Sequence, residues 1–222
     1  MTTVANSTGR VGPLVVVVTG TGTEVGKTWV TARVIDTLAA DGCRVVARKP
    51  AQSHEPGDLG TDAAILGAAS GEVTEMVCPP HRDYEVAMAP PMAAAALGRP
   101  SFTIADLVSE LACPPDVDVV LVESAGGVRS PLAADGDTVV LVEALAPDAV
   151  VVVADAGLGV INAVRLVTSA LGQRRPIVVL NRFDDGSDLH HRNLAWLRDI
   201  DHADVTTTSD QLAARLQAML RP

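Results

Sequence analysis

The chain has 222 residues, of which 48 % are hydrophobic and 20 % charged, and its formal net charge is -10. This length suits one α/β domain, and the composition excludes disordered, collagen-like and coiled-coil classes. The acidic balance and the 2 % of aromatic residues argue against a nucleic-acid partner or an acidic membrane surface. No apolar run is long enough for a membrane helix or a signal peptide, and three distant cysteines suggest no disulfide framework. We therefore expect a cytoplasmic protein.

Short valine-rich runs alternate with helical patterns along the chain. The runs are continuous, which is typical of strands buried on both faces of a parallel sheet. The predicted strands are 14–19, 45–49, 117–123, 149–154 and 177–180. The predicted helices are 27–40, 62–69, 91–97, 104–111, 162–171 and 210–220, with a capping box formed by Thr103 and Asp106 before the fourth. Residues 71–90 are predicted to form a long loop, and residues 1–12 a flexible N terminus. This alternation predicts one doubly wound α/β domain over 1–222, mainly parallel and P-loop NTPase-like, with ligands at the carboxyl ends of the strands.

Lysine is rare in this chain. Only two of the 17 basic residues are lysines, Lys27 and Lys49, and all others are arginines. Arginine thus serves wherever a surface cation is enough, and we expect a compact ammonium to matter at these two positions.

A glycine-rich loop at 20–28, with the sequence GTGTEVGKT, joins the first predicted strand to the first helix. Its backbone N–H groups can bind phosphates at the helix N terminus. Lys27 can reach the outer phosphates, and the Thr28 hydroxyl can ligate Mg²⁺. The spacing departs from a standard P-loop because Gly20 comes one residue early and Gly22 one residue late. A glycine turn with a chance lysine is the alternative, but strand, loop and helix follow in the expected order.

Further candidate residues follow the later strands. Lys49 should point from the end of the second strand toward the glycine-rich loop. Glu123 ends the third strand, where such folds hold Mg²⁺ beside a P-loop, and Gly126 and Gly127 allow a substrate close to the backbone. Asp62 opens a helix, and an ordinary helix-start role is an equal alternative for it. The glycine-rich turn at 157–162 is a second candidate anion site, for which plain turn chemistry is also an even alternative.

Together these motifs resemble the dethiobiotin synthetase family. The family pattern G-T-x-T-E-V-G-K-T occurs at 20–28 with the same stretched spacing, and K-P-x-x-S occurs at 49–53. The helix start S/T-D-A occurs at 61–63, and V-E-G-A-G-G at 122–127 with Ser124 in place of a glycine. The pattern L-G-x-I-N occurs at 158–162, and an apolar strand ends in Asn181. The resemblance covers about 14–182, and residues 183–222 diverge from the family.

The resemblance implies an ATP- and Mg²⁺-dependent ring closure in biotin biosynthesis. One amine of 7,8-diaminononanoate takes up CO₂ as a carbamate, ATP phosphorylates it to a mixed anhydride, and the second amine closes the cyclic urea. The family is a homodimer with the substrate at the interface.

The resemblance also assigns roles to residues of this chain. Catalytic roles go to Lys27, Lys49, Thr23 and Glu24. The nucleotide would contact Gly22, Thr23, Glu24, Val25, Gly26, Lys27, Thr28, Trp29, Asp62, Glu123 and Asn181. Mg²⁺ would be held by Thr28, Asp62 and Glu123. The substrate would contact Thr23, Lys49, Ser53, Gly126 and Gly127 and, across the dimer, Gly159, Val160 and Asn162.

The part of the chain that should hold the nucleobase departs from the family. The family has an Asn-Asp pair after its late strand, whereas Arg182 follows Asn181 here. Residues 199–206 contain neither proline nor an aromatic residue, and Trp196 is the nearest candidate for stacking. We therefore expect relaxed nucleotide choice, with triphosphates other than ATP also binding.

Two other classes share this type of fold. A partition- or division-type switch ATPase usually has a second lysine early in the phosphate loop, and residues 20–24 contain none. A nucleotide-dependent amide ligase of cobalamin synthesis is the other alternative.

Overall fold

A six-stranded parallel sheet forms the centre of this computed structural model, which describes residues 12–221. The strands are β1 (Leu14–Gly20), β2 (Val45–Arg48), β3 (Gln52–Ser53), β4 (Asp83–Tyr84), β5 (Val119–Glu123), β6 (Ala149–Asp155), β7 (Ile177–Asn181) and β8 (Asp204–Thr206). The main sheet has the order β2-β5-β1-β6-β7-β8, and β3 pairs with β4 in a small second sheet. The predicted doubly wound, parallel α/β domain is thus confirmed.

Helices cover both faces of the sheet. They are α1 (Lys27–Ala40), α2 (Asp62–Ser70), α3 (Thr74–Val77), α4 (Pro90–Ala96), α5 (Ile104–Glu110), α6 (Thr138–Leu145), α7 (Val160–Ala170), α8 (Asp188–Ala195) and α9 (Ser209–Leu220). A 3₁₀ turn at Pro80–Arg82 and a π turn at Trp196–Ile200 complete the described elements. Within 12–221, no helix is long and apolar enough to cross a membrane.

Successive valines of one strand enter two different hydrophobic clusters. Val16 and Val18 pack on the side of α1, α2 and α9, whereas Val17 packs on the side of α6 and α7. Side chains alternate between the two faces of a strand, so a strand covered on both faces needs apolar residues at every position. The continuous valine runs follow from this double burial.

The structure corrects several sequence predictions. The predicted loop at 71–90 is wrong in part, because it contains α3, the 3₁₀ turn, β4 and the first residue of α4. Val77 and Tyr84 anchor this stretch in the core. The sequence did not predict α6, α8 or β8, and β2 ends one residue before Lys49. The capping box of Thr103 and Asp106 is confirmed. The prediction of a flexible N terminus lies, apart from Gly12, outside the described residues.

Candidate active site

The glycine-rich loop lies between β1 and α1 with two residues in the left-handed conformation, Glu24 at φ 59° and Gly26 at φ 91°. Gly26 is the N-cap of α1, and within 12–221 no side chain caps this helix end, so its N–H groups can receive a ligand. A Cβ atom at position 26 would collide with the side-chain amide of Asn181. A glycine is therefore required here by both the backbone angle and the space.

Lys49 forms a cluster with two carboxylates beside the loop. The Lys49 Nζ atom lies 2.6 Å from Asp62 Oδ2 and 2.8 Å from Glu123 Oε1. Lys49 is 1 % exposed and Glu123 is fully buried. Burial alone would lower the pKa of Lys49, but the charges of Glu123 and Asp62 raise it above its ordinary value. Lys49 is therefore a permanent cation at neutral pH.

The Thr28 hydroxyl joins the same two carboxylates from the first turn of α1. Its Oγ1 atom lies 2.6 Å from Asp62 Oδ1 and 2.9 Å from Glu123 Oε1. A hydroxyl has one proton and can donate it to only one of these oxygens at a time. The Thr31 Oγ1 atom lies 3.0 Å from the other oxygen of Glu123 and 2.9 Å from the Lys27 carbonyl, so its single proton is likewise available to only one of the two at a time. Three oxygen-bearing side chains thus meet at one point, and one hydroxyl with two carboxylates is a ligand set suited to a hard divalent cation.

Lys27 lies in the cleft with its ammonium close to the loop backbone. Its Nζ atom donates to the Gly22 carbonyl at 3.2 Å. Burial and the nearby charge of Lys49 lower the pKa of Lys27. Two cations that line one cleft favour an anionic ligand there.

A cleft of about 880 Å³ opens over these groups. It is lined by half of the residues predicted from the sequence, namely Thr23, Glu24, Gly26, Lys27, Thr28, Lys49, Ser53, Asp62 and Gly126. The backbones of Gly127 and Gly22 are in close contact, since a Cβ atom added at position 127 would lie only 3.3 Å from the Gly22 Cα atom. Gly26 and Gly126 and the two lysines therefore line one cleft, and Gly22 and Gly127 lie in the loops that form it.

A second cavity of about 500 Å³ adjoins the cleft. Trp29 and Asn181, both predicted to contact the nucleotide, line it together with Phe183. The Asn181 amide also donates to the Val25 carbonyl at 2.9 Å. Trp196, the stacking candidate from the sequence, does not line this cavity and instead lies under the Arg165 guanidinium.

The remaining predicted residues lie elsewhere on the described chain. Gly159, Val160 and Asn162 are at the start of α7 and line neither cavity, and Asn162 is exposed.

Three of the site residues that sequence reasoning missed are Arg182, Phe183 and Gln52. Arg182 and Phe183 follow β7 directly, and their position after a strand was the available signal. Gln52 lines the cleft, and its Oε1 atom accepts from the Ala63 N–H at the start of α2 at 2.9 Å. Gln52 thereby holds the helix start that places Asp62.

The fold and the glycine-rich loop define a P-loop NTPase. The family model described as AAA domain matches residues 15–220. Among solved structures, the chain has a TM-score of 0.58 with a protein of Borrelia burgdorferi B31 described as a plasmid partition protein bound to AMPPNP, at 12 % identity over 94 % of this chain and 99 % of that one. With chloroplast FtsY from Physcomitrella patens, the TM-score is 0.54 at 17 % identity over 100 % of this chain and 69 % of that one. These likenesses establish the fold alone.

Sequence relatives identify the family within this class. The chain is 37 % identical over 201 residues to the ATP-dependent dethiobiotin synthetase of Streptomyces coelicolor, covering 85 % of this chain and 80 % of the relative. It is 40 % identical over 163 residues to that of Rhodococcus jostii, covering 71 % and 67 %. It is 39 % identical over 178 residues to that of Anaeromyxobacter sp. Fw109-5, covering 77 % and 78 %. The chain belongs to the ATP-dependent dethiobiotin synthetase family, as the motifs predicted, and these relatives do not favour the switch ATPase or the amide ligase.

Proposed function

We propose that the cleft closes the dethiobiotin ring from 7,8-diaminononanoate, CO₂ and ATP. The observation that carries this proposal is the cluster in which Lys49, Thr28, Asp62 and Glu123 meet beside the phosphate loop. In this reaction a carbamate oxygen attacks the γ-phosphorus of ATP and ADP leaves. The second amine then attacks the carbamic–phosphoric anhydride at carbon, and phosphate leaves with the bond electrons.

Charge neutralisation is the main demand of this chemistry, because carbamate and triphosphate are both anions. Lys49 is placed to neutralise the carbamate and the transferring phosphoryl group, and Lys27 to neutralise the outer phosphates. Both ammonium groups are buried, where electrostatic interactions are stronger than in water. The helix N terminus at Gly26 adds N–H donors that need no reorganisation during the reaction.

Mg²⁺ fits the oxygen cluster of Thr28, Asp62 and Glu123. These side chains supply a hydroxyl and two carboxylates, which Mg²⁺ prefers as ligands together with substrate phosphates and water. Mg²⁺, when bound, supplies further neutralisation of the phosphates. Glu123 is fully buried and accepts from Lys49 at 2.8 Å, so this carboxylate is already oriented before any ligand binds.

The smaller cavity is the proposed nucleobase site. Trp29 and Phe183 offer aromatic surface there, and the cavity touches the phosphate loop at Gly26. A nucleotide would then place its base against these aromatic side chains and its outer phosphates near Lys27 and Lys49.

Residues at the start of α7 are proposed to act in a homodimer. Gly159, Val160 and Asn162 would receive the tail carboxylate of a substrate bound in the partner's cleft. Leu158 in this turn is 90 % exposed and Leu166, further along α7, is 63 % exposed, which supports burial of this region against a second copy of the chain. A cytoplasmic location stays a prediction from the sequence.

Phosphate release with Mg²⁺, ATP and bicarbonate, with and without the diamine, tests the function. We expect release only with the diamine, and one equivalent of dethiobiotin by mass spectrometry for each phosphate. Phosphate release that ignores the diamine would instead favour a switch ATPase.

A further inference from the structure

Two residues line both the cleft and the smaller cavity, Gly26 and Arg182. They therefore lie at the junction of the two cavities, called the neck below, which a nucleotide that occupies both cavities would span. Gly26 contributes only backbone, so Arg182 is the side chain that borders the neck from the end of β7.

Arg182 is held in place by two contacts from different elements. One guanidinium nitrogen donates to the Glu24 carbonyl in the phosphate loop at 2.9 Å. The other terminal nitrogen pairs with Asp155 Oδ2 at the end of β6 at 2.8 Å. A guanidinium carries five N–H donors, so these two contacts leave others for a ligand.

The conformation around this contact also indicates function. Glu24 and Arg182 both have a left-handed backbone, at φ 59° and 55°, although neither is a glycine. Such residues are held against a local energetic cost and cluster at ligand sites. The Arg182–Asp155 pair is half-exposed, with Arg182 at 58 %, and exposed ion pairs contribute little to stability. The pair therefore adds little to the stability of the fold. A role in orienting the Arg182 guanidinium toward a ligand accounts for it better than a structural role does.

We propose that Arg182 is a nucleotide-positioning residue that contacts the first phosphate, the one attached to the sugar, and fixes the Glu24 peptide of the phosphate loop. This inference rests on the proposed function, which puts the base in the smaller cavity and the outer phosphates near Lys27. The phosphate nearest the base then lies at the neck, beside Arg182. An arginine matches a phosphate through its planar fork and its permanent charge.

The test is the binding of adenosine, AMP, ADP and ATP to the full-length protein by calorimetry, for the wild type and Arg182→Ala. We expect the variant to bind AMP, ADP and ATP about tenfold more weakly and adenosine within about twofold of the wild type. Equal weakening of adenosine, or no weakening of AMP, would overturn the proposal. If the wild type bound none of the four, the proposed function itself would fail.

Three further variants separate a phosphate contact from a structural effect. Arg182→Lys keeps the charge and should recover part of the AMP affinity, and a lysine variant as weak as the alanine variant would contradict a charge contact. Lys27→Ala should weaken ATP and ADP more than AMP, since it lies at the outer phosphates. Arg44→Ala removes a similar exposed pair, Arg44–Asp116 at 2.9 Å, away from both cavities, and should leave all four affinities unchanged.

Discussion

Replacing Lys49 by glutamine tests the proposed catalytic centre most directly. Glutamine keeps most of the side-chain volume and an N–H donor but removes the charge that lies 2.6 Å from Asp62 and 2.8 Å from Glu123. Loss of one preorganised donor to a developing oxyanion lowers kcat by about 10²–10³, or about 2.7–4 kcal/mol, and we expect a loss in this range. The dissociation constant of ATP should stay within about threefold, because Lys49 acts mainly on the transferring group.

The same substitution should also destabilise the protein. It leaves Asp62 and Glu123 facing each other without their shared cation, and removing one partner of a buried pair costs about 3–5 kcal/mol. The Asp62 side chain is 42 % exposed, so water screens part of this repulsion and we expect the lower end of that range. The assay is steady-state phosphate release, with circular dichroism at the same temperature to show that the variant is folded.

Arg48→Gln is the matched control for this experiment. Arg48 is the neighbouring buried cation and pairs with Glu72 at 2.7 Å outside the cleft. The Arg48→Gln variant should lower the melting temperature about as much as Lys49→Gln does, but its kcat should stay nearly unchanged. A Lys49→Gln variant with kcat within a few-fold of the wild type would refute the reasoning.

Other substitutions and substrates test separate parts of the site. Gly26→Ala should abolish nucleotide binding in calorimetry while the chain still folds, because the new Cβ collides with Asn181, and wild-type affinity would contradict the geometry of the loop. Asn162→Ala should raise the KM of the diamine much more than that of ATP, and a rise for ATP instead would place this turn at the phosphates. The kcat/KM of ATP should exceed that of GTP, CTP and UTP by less than about 10³-fold, and a larger preference would reveal a specific adenine site. Burial alone would lower the pKa of His54, but hydrogen bonds with the Glu55 carbonyl and Asp83 raise it, so the stability it adds is present below its unfolded pKa and lost as the pH rises through the folded value. His54→Gln should therefore reduce the free energy of unfolding more at about pH 5.5 than at about pH 8.5, as measured by urea denaturation, and an equal loss at both would exclude a charged His54.

The central sheet could be predicted because its strands are buried on both faces. Val16 and Val17 enter opposite clusters, and a short valine run that is apolar at every position is typical of such a strand. Helix α6 was missed for the same reason, since its sequence TVVLVEAL is equally rich in β-branched residues. It is a helix because Asp137 caps it, accepting from the N–H groups of Val139 and Val140, and because tertiary packing overrides the local preference.

The cluster beside the glycine-rich loop could be predicted because its residues follow strands that end at one edge. Thr28 and Glu123 are 95 positions apart in sequence, and the parallel sheet brings their oxygens within 2.9 Å. The smaller cavity could not be predicted in this way. Its outer wall includes Phe183 and Thr207, which belong to the divergent part of the chain and to no motif. Their approach depends on how the last strand and helix pack, which has no local pattern in the sequence.

The scarcity of lysine gives this protein a built-in spectroscopic probe. Lys27 and Lys49 are the two lysines of the whole 222-residue chain, and both ammonium groups face the cleft. Lysine labelled with ¹⁵N at the side-chain nitrogen would therefore give two ammonium resonances, and neither needs to be separated from a surface background. Because the pKa is lowered for Lys27 and raised for Lys49, the Lys27 signal should titrate at a lower pH than a free lysine while the Lys49 signal keeps its charge. A series of nuclear magnetic resonance spectra, recorded as nucleotide and then carbamate are added, would follow both ammonium groups at once.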